Sequence, residues 1–217
     1  MQAASLEVSP VIVNLSSGRT NATIEVLNRS ATPVAVQARA FSWSQPSDTD
    51  VLTPTDDFII SPPIFTVPAG ATQTMRLLLR RGTDAAERSY RLLIDEVPAA
   101  TDRQQVAISL RLSLPVMSSP ATPGLPLLTW TIDPSAAGGH TTLSVSNTGA
   151  THTKVNAIAV TLSDGGRRTV APVAANPYVL AGAQRLWTVD GAPMAHGVPF
   201  RLTVTTPQGK TEQTLTP

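Results

Sequence analysis

Alternation of apolar and polar residues dominates the hydropathy pattern of this chain. The longest alternating run, VAISLRLSLPV at positions 106–116, has an apolar residue at every even position and small or polar residues between them. Successive side chains of a β-strand point to opposite faces, so the run predicts a strand with one apolar face. The pattern alone leaves open whether that face belongs to the protein's own core or to the core of a partner.

The whole chain contains about fourteen short strand-like runs and no convincing amphipathic helix. Seven of them precede SSPATPGLP (118–126), which has the Ser, Pro and Gly content of a linker, and the others follow it. This strand count and spacing are typical of immunoglobulin-like sandwiches. We therefore predict an all-β protein with an N-terminal domain at 1–119 and a second β-sandwich at 120–217.

The two halves share a faint echo. ATIEVLNRSATPV (22–34) and TTLSVSNTGATHTKV (141–155) both read as a strand, an Asn-containing turn and another strand. Duplication of one domain explains the echo, and so does the general construction of sandwiches.

Composition narrows the function classes. Charged residues make up 14% of the chain, against an average of about 25%, and the net charge is +1. Nucleic acid is therefore not an expected partner, because phosphate contacts need clustered Lys and Arg. Cysteine is absent, which excludes disulfides and thiolate metal sites. No apolar run has the roughly 18–20 residues of a membrane span, so no membrane insertion is expected.

The sequence has no recognisable catalytic constellation. His140, His152 and His196 fall in turn-like surroundings without metal-ligand spacing, and we interpret them as surface residues. Asp56 and Asp57 are neighbours, so on a strand they point to opposite faces and cannot act as paired carboxylates. We expect no enzyme activity, no catalytic residue, no metal and no cofactor.

Three stretches, in order, resemble the periplasmic pilus-assembly chaperones of the chaperone–usher pathway, the PapD-like superfamily. They are SPPIFTVPAGATQTMRL (61–77), YRLLIDEVP (90–98) and the run at 106–116. LSVSNTGATHTKV (143–155) is similar to an element of that family's second domain. Within these stretches Pro62, Gly70 and Glu96 match structural positions of the family.

The resemblance implies a fold and a mechanism. It implies two immunoglobulin-like sandwiches in a boomerang arrangement with an interdomain cleft, located in the periplasm after removal of a signal peptide. Such chaperones bind pilin (fimbrial) subunits and deliver them to an outer-membrane usher. In donor-strand complementation the seventh strand fills a groove in the subunit. The donor residues would be Val106, Ile108, Leu110 and Leu112.

An exposed apolar strand also favours self-association, so a self-capping dimer is a further expectation.

The match breaks at the family's anchor for the subunit's C-terminal carboxylate. An Arg and a Lys hold that carboxylate in much of the family, and the matching positions here are Pro10 and Pro115. A buried carboxylate still needs a cation, because an unpaired buried charge is costly. The candidates are Arg91, Arg76 and Arg111.

We favour Arg91 for this anchor. Its neighbours Tyr90 and Leu92 share the parity of a core-facing strand, which places Arg91 on the opposite face. Alternatives for Arg91 are a solvated position or an ion pair with Asp95.

Glu96 matches a family residue of an interdomain salt-bridge network. The usual Arg partner falls at Ser119 here, so the network is either rebuilt or missing. The short spacer at 98–105, together with QARAFSW (37–43) and RLSLPV, resembles the archaic branch, which assembles pilins similar to spore-coat proteins.

Two other classes fit the strand count. One is a two-domain immunoglobulin-like adhesion or structural module at the cell surface, and the other is an enzyme on a sandwich scaffold. Neither explains the order of the three family-like stretches.

Overall fold

The computed structural model describes residues 6–80, 86–98, 109–122, 124–136, 140–170, 177–191 and 194–217. Within these ranges the chain forms β-strands and one short 3-10 turn at Pro46–Asp48, with no α-helix. The predicted all-β class is therefore confirmed. None of the described segments forms a helix with the length and apolar character needed to cross a membrane.

The chain divides into two compact units. One consists of Met1–Trp43 and Leu52–Thr122, and the other of Ser44–Val51 and Pro123–Pro217. Each unit is built on β-sheets around its own hydrophobic cluster.

The first ten strands form two sheets. The strands are β1 (Leu6–Ser9), β2 (Val13–Leu15), β3 (Asn21–Asn28), β4 (Val34–Ser44), β5 (Val51–Pro54), β6 (Phe58–Ser61), β7 (Ile64–Val67), β8 (Thr72–Leu79), β9 (Arg88–Val97) and β10 (Arg111–Ser118). In the first sheet the order is β1-β3-β8-β6, and in the second it is β2-β10-β9-β4-β5, with β7 also paired to β4. Both sheets contribute fully buried residues to one core, including Ile24 and Met75 from the first and Leu92 and Ile94 from the second.

Prolines split two runs that the sequence pattern presents as single strands. The run at 6–15 divides at the cis Ser9–Pro10 bond into β1 and β2, which lie in different sheets. The run at 57–65 divides at the cis Ser61–Pro62 bond into β6 and β7, again in different sheets. Proline has no N–H to donate to a ladder, so the strand stops there and the chain crosses to the other sheet.

The C-terminal unit contains nine described strands. They are β11 (Leu128–Ala136), β12 (His140–Asn147), β13 (Thr153–Lys154), β14 (Ala157–Leu162), β15 (Arg167–Thr169), β16 (Tyr178–Val179), β17 (Gln184–Val189), β18 (Phe200–Thr206) and β19 (Gly209–Leu215). They form two main sheets with the orders β11-β12-β17 and β15-β14-β18-β19, and β13 pairs with β16. Trp130 and Trp187 stack in their core with ring centroids 5.7 Å apart.

The segment Ser44–Val51 folds with the C-terminal strands, although it lies between β4 and β5 in the sequence. The Gln45 side chain is buried, donates to the carbonyl of Tyr178 at 3.0 Å and accepts from the N–H of Leu180 at 3.0 Å. The Arg185 guanidinium donates to the carbonyl of Asp48 at 2.6 Å. These polar contacts make the segment part of the C-terminal unit.

Candidate functional site

The apolar face of the alternating run belongs in part to the protein's own core. Leu114 and Val116 on β10 are buried there, with 3% and 1% of their surface exposed. Leu110 and Leu112 are half-buried and pack against the same core. Val106 and Ile108 lie outside the described residues. The face therefore becomes more exposed from the end of β10 towards its start.

One edge of β10 has no partner strand over the first part of its length. β9 pairs with β10 from the pair Arg111–Asp95 to the pair Ser118–Arg88. On the other side, β2 pairs in parallel with Val116–Ser118 alone. From Arg111 to Leu114, no strand of the described chain lies against this second edge.

The direction of the backbone groups explains why a proline is tolerated in β10. The N–H of Glu96 donates to the carbonyl of Leu110 at 2.9 Å, so Leu110 directs its backbone groups towards β9. Backbone groups alternate in direction along a strand, so those of Ser113 and Pro115 point away from β9, towards the second edge of β10. The N–H that Pro115 lacks would have pointed away from β9, and no ladder bond is lost.

Two arginines converge on one carboxylate on the outer face of this sheet. Asp95 on β9 accepts from Arg39 of β4 at 2.6 Å and from Arg111 of β10 at 2.5 Å. Burial alone would raise the pKa of Asp95, but the hydrogen bonds and charges of Arg111 and Arg39 outweigh it and hold that pKa below its ordinary value. The cluster ties the start of β10 to its neighbour β9 and to β4, the next strand beyond β9.

Arg91 lies on the same outer face, further along β9. Its guanidinium is stacked over the ring of Trp43, 3.8 Å from the ring centroid. Its cross-strand neighbours are Phe41 on β4 and Pro115 on β10. Pro115, one of the two positions where the family has its anchoring cations, is therefore beside Arg91.

Arg76 is on the other sheet. It is exposed on β8 between the buried residues Met75 and Leu77 and is opposite Thr23 of β3. The structure thus brings two of the candidate cations, Arg91 and Arg111, to one face and places Arg76 on the outer face of the opposite sheet.

The Glu96 carboxylate accepts from the backbone N–H of Leu110 at 3.2 Å, and no cation among the described residues pairs with it. At Ser119, the position of the family's usual Arg partner, the backbone N–H donates to the carbonyl of Leu15 at 3.0 Å.

The other two positions that match the family, Pro62 and Gly70, lie at bends of the chain. The Ser61–Pro62 peptide bond is cis. Gly70 has φ +68° in the turn that joins β7 to β8.

The described residues contain no group of three His, Asp or Glu side chains placed to hold a metal ion. His140 and His196 are exposed, and the His152 ring lies 5.9 Å from the ring of Tyr178.

Asp57 accepts a hydrogen bond from the Tyr90 hydroxyl at 2.9 Å. Burial, reinforced by this hydrogen bond, raises the pKa of Tyr90 to about 12.

Comparison with known families gives a match over more than half of the chain. Residues 5–123 match the pili and flagellar-assembly chaperones, over the PapD N-terminal domain. The chain belongs to this family. The predicted family and the predicted role as a chaperone in pilus assembly are thereby confirmed. No curated protein sequence matches this chaperone.

Solved structures give the same fold over the whole length of the chaperone. It resembles a chain of the CsuC–CsuE chaperone–tip adhesion subunit pre-assembly complex from the archaic Csu pili of Acinetobacter baumannii, with a TM-score of 0.71, 20% identity and 98% coverage of each chain. The YadV chaperone has a TM-score of 0.69 and 17% identity, with 97% of this chain and 99% of YadV covered. A chain of the Salmonella enterica complex of SafA pilin with the SafB chaperone has a TM-score of 0.66 and 19% identity, with 100% of this chain and 98% of the other covered.

Proposed function

We propose that this chaperone binds pilin subunits in the periplasm by lending them strand β10. The observation that supports the proposal is the state of β10. Its second edge has no partner strand among the described residues from Arg111 to Leu114, and its core-facing leucines are fully buried only towards its C-terminal end. A strand with an open edge and a partly exposed apolar face is the complement of a sandwich that lacks one strand.

Two forces would hold the subunit. A strand of the subunit that pairs with the free edge of β10 satisfies backbone groups that are otherwise left to water, as in other cases of strand addition. Alternate side chains then enter the subunit's groove. Full burial of an exposed leucine side chain stabilises a complex by about 1.5–3 kcal/mol. Leu110 and Leu112 are half-buried in the free chain, so their further burial in the complex contributes a part of that free energy each.

Arg91 is the proposed partner of the subunit's C-terminal carboxylate. Stacking on Trp43 uses the face of the guanidinium, whereas its hydrogen bonds lie in its plane. A carboxylate can therefore bind in that plane while the ring stays in place. Arg111, whose side chain pairs with Asp95, is the second candidate on this face.

The proposal has three further parts. This chaperone delivers its subunit to an outer-membrane usher, it belongs to the archaic branch, and it covers its own donor strand by forming a dimer. The solved relatives include a chaperone with a tip adhesion subunit and a chaperone with a pilin, which supports a fimbrial subunit as the partner.

The test is co-expression with a pilin encoded beside the gene for this chain, followed by co-purification. Leu110→Ser removes an apolar side chain from the proposed donor face, and Leu78→Ser makes the same change at a leucine that is 40% exposed on the opposite sheet. We expect loss of the complex with the first variant and a normal yield with the second, both remaining folded by circular dichroism. Equal yields from both variants would exclude Leu110 from the binding face.

A further inference from the structure

The ladder between β9 and β10 ends in an unusual way at Leu110. The carbonyl of Leu110 accepts from the backbone N–H of Glu96 at 2.9 Å. The N–H of Leu110 donates to a carboxylate oxygen of the same residue, Glu96, at 3.2 Å. In a regular antiparallel pair both bonds are exchanged between backbones. Here the side chain of Glu96 takes the place of its own carbonyl.

The sequence beyond Glu96 prevents the ladder from continuing regularly. Two residues on, Pro98 would be the donor of the next hydrogen-bonded pair in this register, and proline has no N–H. A carboxylate that caps the last N–H of the ladder stabilises the end of the pairing at this point. Among the described residues, the pairing with β9 therefore starts at Leu110, one residue before β10 begins.

The first residue of β10, Arg111, is also held by β9. The Arg111 side chain is bound on the outer face by Asp95, which is adjacent to Glu96 in the sequence and also holds Arg39. Two consecutive acidic residues thus hold two consecutive residues, Leu110 just before β10 and Arg111 at its start. One holds the backbone of Leu110, and the other holds the side chain of Arg111.

We propose that Glu96 is a positioning residue for subunit binding, one that fixes the backbone of Leu110 where the pairing of β10 with β9 ends. With this backbone fixed, the side chains of Leu110 and Leu112 are held in a defined position along the groove of the subunit. The conformational entropy of ordering this segment is then lost before association and does not weaken binding. This role differs from an interdomain ion pair, since no cation in the described part of the chain pairs with Glu96. The inference rests on the proposed function.

Three variants of the full chain test it. Glu96→Ala removes the acceptor, Glu96→Gln keeps an acceptor oxygen without the charge, and Glu25→Ala is a matched change at an exposed glutamate of the opposite sheet. In the free chain, NMR hydrogen exchange at the Leu110 amide should be about tenfold or more faster in Glu96→Ala, since a hydrogen bond to a charged group contributes about 1.5–3 kcal/mol. Glu96→Gln should recover most of the protection, and Glu25→Ala should match the wild type.

The second measurement is the dissociation rate of the complex with the co-expressed pilin. We expect about fivefold to tenfold faster dissociation for Glu96→Ala, with an unfolding temperature close to that of Glu25→Ala, and near-wild-type dissociation for Glu96→Gln. Unchanged exchange at Leu110, or dissociation of Glu96→Ala at the rate of Glu25→Ala, would overturn the inference. A wild-type chain that binds no pilin would instead overturn the proposed function, and the role of Glu96 with it.

Discussion

Asn28 and Asn147 occupy equivalent positions in the two units and make the same hydrogen bonds. The side-chain amide of Asn28 donates to the carbonyl four residues further on, Thr32, at 2.8 Å, and to that of Val67 at 3.0 Å. The amide of Asn147 likewise donates four residues further on, to Thr151, at 2.8 Å, and to Val179 at 3.2 Å. Both asparagines are buried.

The turn bound by each asparagine is also repeated. The carbonyl of Asn28 accepts from Gly70 at 2.9 Å in the sequence VPAGA (67–71), and that of Asn147 accepts from Gly182 at 2.9 Å in VLAGA (179–183). The echo between the two halves thus extends from the sequence to the hydrogen bonds.

Replacement of either asparagine should destabilise its own unit. Asn28→Ala leaves buried carbonyls without their donor, as does Asn147→Ala, and each should cost about 1–3 kcal/mol in the free energy of unfolding. Urea denaturation gives the size, and hydrogen exchange should show lost protection in the unit that carries the change. Asn21→Ala, at an exposed residue of β3, is the control and should stay within about 0.5 kcal/mol of the wild type.

The glycines of the two repeated turns should resist substitution for a backbone reason. Gly70 and Gly182 have φ of +68° and +71°, and no atom lies within 4 Å of an added Cβ at either. Gly70→Ala and Gly182→Ala should therefore each cost about 1–2 kcal/mol from the left-handed conformation alone. Gly18 is equally open but lacks a positive φ, so Gly18→Ala should have almost no effect on urea denaturation. Equal costs at all three would contradict this account.

The ion pairs of Asp95 should make part of the stability depend on pH. Because the folded-state pKa of Asp95 is lowered, its contribution is present above the unfolded pKa of about 3.9 and is lost as the pH falls through the folded value. Asp95→Asn should therefore be less stable than the wild type at pH 7, and the gap should narrow below about pH 4. Unfolding by urea across this range measures the gap, and a constant gap would contradict the prediction.

The affinity for the pilin subunit should show which of the candidate arginines binds its C-terminal carboxylate. Arg91→Ala should weaken binding of the co-expressed pilin by about tenfold or more, because a desolvated carboxylate loses its partner. Arg76→Ala changes the opposite sheet and should leave binding unchanged. Arg91→Lys should restore only part of the affinity, since lysine lacks the planar group that stacks on Trp43. Surface plasmon resonance provides the comparison, and equal affinities for Arg91→Ala and Arg76→Ala would remove Arg91 from the site.

Strict alternation made much of the fold predictable. β3 alternates buried and exposed residues as its sequence does, and both β3 and β8 lie where the pattern placed strands. β5 was missed because all four of its residues are exposed, so no apolar periodicity marks it. β16 was missed because a strand of two residues has no period.

The candidate site was predictable only in part. The parity of β9 placed Arg91 and Asp95 on one face, as the structure has them. Arg39 was not found, because its contact with Asp95 depends on how β4 is registered against β9, and register arises from tertiary packing. The alternating run could not reveal that Leu114 and Val116 fill the chain's own core, since periodicity does not show whether an apolar face packs into its own protein or into a partner.

Residues 44–51 have a consequence for any attempt to divide this protein. Cleavage within the stretch 118–126 would release a C-terminal fragment without Gln45 and Asp48. Arg185 would then be left without the carboxylate that lies 3.3 Å away. The C-terminal unit is compact but is assembled from two separate stretches of the sequence, so the C-terminal fragment should refold only when a peptide spanning 44–51 is supplied in trans.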